Sequence, residues 1–246
     1  MSKNFQLLQR AEEEELFIPV GLPAPEAQRS NGTTPIWAKG RSDEEFANLV
    51  QRLFLHASPL PGPRVVSFSA VASSKRSSWI CAQVARILSL QTNKSVCMVD
   101  ADLWSPQLHA LFNADNRRGL ADALTLKGSI RSFATSLSIG DLRLLSSGSI
   151  KMKLYGQADS CRARFAELRE QFHYILVSAP PFTRETESTL MGQLADGIVL
   201  IVEANQSRRE AVLRIKERLE NAQVQLLGAV LDQRTFPIPE FLYRKL

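Results

Sequence analysis

Five stretches of the chain are apolar at nearly every position: RVVSFSA from Arg64, SVCMVDA from Ser95, YILVSA from Tyr174, GIVLIVEA from Gly197 and VQLLGAVL from Val224. Each has the length of a strand, and the absence of strict alternation marks strands buried on both faces. Between them apolar residues recur at helical spacing. Ser77 to Gln91 is one such segment; Cys161 to Phe172 is another, with Phe165, Leu168 and Phe172 in register. A third runs from Ser207 to Ala222 and carries Val212, Ile215, Leu219 and Ala222. Strands alternating with helices predict an α/β fold, a doubly wound and mainly parallel sheet. Ligands of such sheets bind beyond the C-terminal strand ends, so the loops at 72–78, 100–106, 179–188 and 204–208 are expected to gather there.

Ahead of the first strand, SDEEFANLVQRLFLHA predicts a helix over 42–57. Ser42 and Glu45 form a capping box, and Phe46, Leu49, Val50, Leu53 and Phe54 share one face, which is expected to dock on the domain that follows. Residues 1–17 predict a short helix. Ile18 to Pro35 is rich in Pro, Gly, Ser, Thr and Asn without periodicity and reads as a flexible linker. The expected organisation is therefore an extension over 1–41 and one α/β domain over 42–246.

Composition narrows the function classes. The 246 residues are 44% hydrophobic, ordinary for a globular chain. The polar, acidic start lacks the apolar centre of a signal peptide, and no apolar run approaches the roughly 20 residues of a membrane span, so the expected location is cytoplasmic. Cys81, Cys97 and Cys161 form no CxxC pair and read as buried hydrophobes; His56, His109 and His173 lie near no cysteine cluster, which argues against zinc. The net charge of +5 suits an anionic surface or an acidic partner, but the basic residues lack the aromatic interleaving of a nucleic-acid reader.

The candidate chemistry begins in FSAVASSKRSSW, Phe68 to Trp79, which links a strand to a helix where a phosphate-binding loop would stand and yet holds no glycine. Further on, VDAD places Asp100 and Asp102 at a strand end, and YILVSAPP ends another strand in Ser178. With SVCMVDADLWSPQLHALFN, RRGLADAL and the long segment from Leu194 to Arg234, these stretches resemble the MinD/ParA-type P-loop ATPases. Within them they resemble the cytoplasmic CpsD/CapB kinase domains of bacterial exopolysaccharide assembly. The resemblance covers about Arg64 to Asp232 and reinforces a P-loop NTPase-like fold.

The resemblance implies ATP and Mg²⁺ as ligands. It places the degenerate nucleotide site at Ser74, Lys75, Arg76, Ser77 and Ser78, with Asp232 on the adenine side; Ser78, Asp100 and Asp102 are the magnesium set, and the two aspartates are the catalytic carboxylates. The departures weigh against activity. Ser74 and Arg76 replace glycines whose freedom shapes the phosphate nest, Ser77 takes the lysine position, and Ser178 replaces the magnesium-binding Asp of Walker B. Lys75 and Arg76 read either as substitute phosphate contacts or as a solvated loop surface, and the two aspartates either as metal ligands or as loop caps. Trp79, bulky where the family has a small residue, is expected to help pack the site shut.

The tyrosine-rich tail of such kinases is reduced to Tyr243, and the oligomerisation helix carries Asn48 and Gln51 where the family has arginines. Self-association is left open. The expected function is a silent or weakened kinase homologue that serves as a binding or regulatory module of exopolysaccharide biosynthesis. The implied partners are the cytoplasmic tail of a polysaccharide co-polymerase at the inner membrane face or an active kinase homologue, with no nucleic acid. The alternatives are an active ATP-binding tyrosine kinase that uses Lys75 or Arg76, and a ParA/MinD-like positioning ATPase.

Overall fold

The computed structural model describes residues 17–19, 42–55, 62–204 and 206–232. Residues 1–16 of the helix expected over 1–17, most of the linker, residues 56–57 and Tyr243 lie outside these residues, and the helix expected over 42–57 ends at Phe54. Within them the expected α/β architecture stands. The strands are β1 (Phe17–Pro19), β2 (Val65–Ala70), β3 (Val96–Asp100), β4 (Thr135–Ser136), β5 (Leu142–Leu145), β6 (Tyr174–Ser178), β7 (Gly197–Glu203) and β8 (Leu226–Asp232). The helices are α1 (Ser42–Phe54), α2 (Ser74–Thr92), α3 (Leu108–Leu111), α4 (Leu120–Thr125), α5 (Ala158–Gln171), α6 (Glu185–Leu194) and α7 (Arg209–Asn221). The strands join in one sheet of order β1-β8-β7-β2-β6-β3-β5-β4, parallel throughout except for β4 against β5.

Two details differ from the pattern read in the sequence. Phe17–Pro19, at the junction of the expected helix and linker, pairs in parallel with Ala229–Leu231 as an edge strand. The α2 helix begins at Ser74, three residues before the expected start, so half of the expected phosphate loop is helical.

The apolar runs are strands covered on both faces. Val66, Phe68 and Ala70 of β2 point to one side, where they meet Ile80, Val84 and Leu88 of α2 and, beyond it, Phe46, Leu49 and Val50 of α1. Val65, Val99, Ile175 and Val177 point to the other side, against Phe165 and Leu168 of α5 and Leu190 of α6. A third cluster, with Ile198, Leu200, Ile215 and Leu219, sits under α7. Phe46 meets Trp79 edge to face at 5.3 Å, and Asp43 pairs with Arg86, so α1 docks on α2 through both apolar and charged contacts. No helix among the described residues is long and apolar enough to cross a membrane.

Because the strands from β2 outward run in parallel, the turns after β2, β3, β6 and β7 emerge on one rim, around the central β2 where the winding reverses. Phe46 is fully buried, and Phe46→Ala is expected to lower unfolding free energy by about 3–5 kcal/mol, read as a shift in the urea midpoint at unchanged slope.

Candidate functional site

The turn after β2 is short. Val71 donates its N–H to the Ile201 carbonyl at 3.1 Å, and after Ser73 the chain is already helical. The non-glycine residues with positive φ among those described are Asn93, Asn113 and Gln223, and the glycines are 128, 140, 148 and 228; none falls in 71–78. A backbone nest that wraps phosphates needs left-handed residues, which Ser, Lys and Arg resist, and these residues enter the first helical turn instead.

That helical start fixes where the side chains go. Lys75 faces solvent, whereas Arg76 is buried and forms a two-pronged ion pair with Asp232, its Nε and one terminal nitrogen donating to the two carboxylate oxygens. Asp232 is fully buried at the end of β8. The guanidinium also lies over the Trp79 ring at 4.8 Å, so Trp79, packed on Phe46, acts on the rim by supporting Arg76. Glu203 ends β7 directly beside Asp232 in the strand register. Burial pushes its carboxyl above the usual range, the Asp232 charge adds to the rise, and Arg76 pulls it back. One nitrogen of Arg76, Nη1, is buried without a hydrogen-bond partner.

On the β6 side, Ser78 and Ser178 share a 2.8 Å hydrogen bond between their buried hydroxyls. Ser178 lies opposite Asp100 in the β3–β6 register, and the Pro180–Pro181 corner after it is held by Ser69, whose hydroxyl donates to the Pro180 carbonyl at 2.6 Å, and by Ser188 at 2.8 and 2.9 Å. Asp100 serves as a backbone clamp: one carboxylate oxygen accepts the N–H groups of Gln107 and Leu108 at 3.0 and 2.9 Å, and the other faces the Asp102 N–H at 3.3 Å. Asp102 accepts the N–H groups of Trp104 and Ser105 at 3.2 and 3.0 Å and pairs with Arg184 at 2.7 Å. Its Oδ2 is buried and unpartnered. Arg184, Trp104 and Glu203 were not singled out in the sequence. Arg184 stood in a loop expected at the rim, but nothing local linked it to Asp102.

No protein-family model matches the chain. The Bacillus subtilis tyrosine-protein kinase YwqD is 24% identical over 194 residues, which cover 78% of this chain and 77% of that protein. The Salmonella typhi tyrosine-protein kinase Wzc is 26% identical over 172 residues, covering 68% of this chain and 24% of the relative, so the chain spans about a quarter of the length of that kinase. The kinase domain of Escherichia coli ETK superposes with a TM-score of 0.77 at 16% identity, over 93% of this chain and 96% of that domain. The chain is a homologue of the CpsD/CapB/Wzc-type bacterial tyrosine kinases. Its fold is that of their kinase domains, the MinD/ParA-like P-loop fold; MinD of Aquifex aeolicus superposes with a TM-score of 0.56 at 17% identity over 74% of this chain and 72% of that one.

In a CpsD/CapB/Wzc-type homologue the rim is where ATP and Mg²⁺ would sit, and the side chains as arranged do not fit them. Ser78 and Ser178 hydrogen-bond each other, both oxygens of Asp100 face backbone N–H groups, and one oxygen of Asp102 is held by Arg184. Mg²⁺ requires near-octahedral oxygen ligands including carboxylate charge, and the buried Oδ2 of Asp102 is the carboxylate oxygen of this set left without a partner. Arg76, expected beside the phosphates, is engaged by Asp232 instead.

A buried ion pair broken on one side leaves an uncompensated charge. Asp232→Asn is therefore expected to cost about 3–5 kcal/mol in urea unfolding, while the double replacement of Arg76 by Met and Asp232 by Leu recovers most of the loss. Burial pushes Asp100 from an ordinary 3.8 up to about 7, although the Leu108 and Gln107 N–H groups pull it down. The folded chain then holds this proton more tightly than the unfolded one, so the Asp100 contribution is complete below about pH 4 and is lost as pH rises toward 7. Asp100→Asn, which keeps an oxygen for Gln107 and Leu108, is expected to flatten that decline in the urea midpoint across the same range.

Proposed function

We propose that this chain is a catalytically silent or severely weakened kinase homologue that acts as a binding or regulatory module of exopolysaccharide biosynthesis and export. Its partner is the cytoplasmic tail of a polysaccharide co-polymerase or an active kinase of the same family. The observation that carries this proposal is the buried Arg76–Asp232 pair, which brings the start of α2 and the end of β8 together through side chains of the protein itself. The Ser78–Ser178 hydrogen bond supports it from the metal side, since two neutral hydroxyls stand where a hydroxyl and a carboxylate would share Mg²⁺.

Phosphoryl transfer depends on positioning and charge far more than on covalent participation by the protein. With Ser77 at the lysine position and Ser178 at the Walker B position, two sources of that charge are gone. At a few kcal/mol each, their loss slows turnover by roughly 10³-fold or more. What the fold retains is a rim of paired side chains and the docked helix α1, the equipment of a binding module.

Titration of the full chain with ATP·Mg²⁺ in a calorimeter is expected to be flat at concentrations that saturate an active kinase. Micromolar affinity, with turnover that disappears in Asp100→Ala, would establish an active enzyme and overturn the proposal.

A further inference from the structure

Two loops of this chain, built from residues other than those already described, carry a surface of unusual composition. Residues 115–118 precede α4 and residues 149–155 follow β5. They are tied together: Asn116 donates to the Gly148 carbonyl at 3.2 Å and accepts from the Ser147 hydroxyl at 3.0 Å and the Gly148 N–H at 3.1 Å. Gly119 closes the junction, where a Cβ would stand 2.0 Å from the Ser146 carbonyl oxygen. Inward, Leu154 is buried and Met152 packs against the core beneath α5, so the second loop is anchored at both positions.

Outward, the same loops present Arg117, Arg118, Lys151 and Lys153, all exposed. Beside them Ile150 and Tyr155 are 43% and 50% exposed, with the Lys153 ammonium 5.8 Å from the Tyr155 ring centre. The carboxylates nearest along the chain are Asp115 and Asp159, and each is matched by an arginine of its own segment, Arg117 at 2.6 Å and Arg162 at 2.7 Å. Lys151 and Lys153 thus remain as positive charge beside the exposed Ile150 and Tyr155, and the exposed Arg118 adds to it, its guanidinium 5.0 Å from the Phe133 ring centre.

We propose that loops 115–118 and 149–155 form a docking face for an anionic membrane surface. The interleaving of cations with Ile150 and Tyr155 argues for lipid over an acidic peptide. Lipid phosphates meet the ammonium and guanidinium groups, while the headgroup–acyl boundary takes up the isoleucine side chain and the tyrosine ring, whose hydroxyl stays at the polar level. An acidic peptide without apolar side chains would satisfy the cations and leave both apolar groups in water.

The test is flotation of the full chain with phosphatidylcholine vesicles, with and without phosphatidylglycerol. Binding is expected with the anionic lipid, absent from phosphatidylcholine alone and weakened by salt. Replacing Lys151 and Lys153 by Gln is expected to weaken partitioning about 30-fold, at roughly 5-fold per cation near the surface. Ile150→Ser is expected to weaken it about 5-fold. An exposed control pair on α7, Arg209→Gln with Arg214→Gln, is expected to change it by less than about 3-fold. Thermal melting checks that each variant is folded. No binding by the wild type, equal binding to neutral vesicles, or loss in the α7 pair with the loop variants unaffected would each overturn the proposal.

Discussion

A parallel sheet covered on both faces delivers its strand ends to one rim, and the polar groups buried there must find partners. That requirement shapes this molecule more than any single contact. In a nucleotide-binding relative of the fold, phosphates and a metal can share the task. Here protein groups do it pair by pair: Arg76 with Asp232, Ser78 with Ser178, Asp102 with Arg184, and Asp100 with the backbone of the loop that follows it. Leaving any of these unmatched in a low-dielectric setting is costly, which is why the buried polar side chains of the rim come in pairs.

The rim also shows how one backbone change redirects several side chains. Without a left-handed residue after β2, α2 starts early, and the start of the helix turns Arg76 inward and Lys75 outward. Trp79, one turn on, then supports the guanidinium from below while packing on Phe46 of α1. Through Trp79, α1 is thereby in contact with the side chain that holds the end of β8.

Much of the fold was legible because it rests on local apolar runs: β2, β3, β6, β7 and β8 coincide with the five runs in the sequence, and Phe46, Leu49 and Val50 lie on the buried face expected of α1. The strands that escaped notice were too short or too broken by polar residues to carry a period. β5 is four residues with Arg143 among them, and β4 is two. The rim was legible as a place, since the loops holding Asp100, Asp102 and Ser178 were expected to meet. Its pairings were not. Arg76 alone looks like loop surface and Asp232 alone like the edge of an adenine pocket; their attraction exists only once 156 positions of chain have folded between them.

That separation in sequence has a further consequence. Arg76 is covalently part of the molecule, so its effective concentration at Asp232 is set by the fold and does not fall when a diffusible solute is scarce. An occupant that arrives from solution makes a site a gauge of supply. A partner built into the chain makes this contact a fixed fastening between the start of α2 and the end of β8, present whatever the solution supplies.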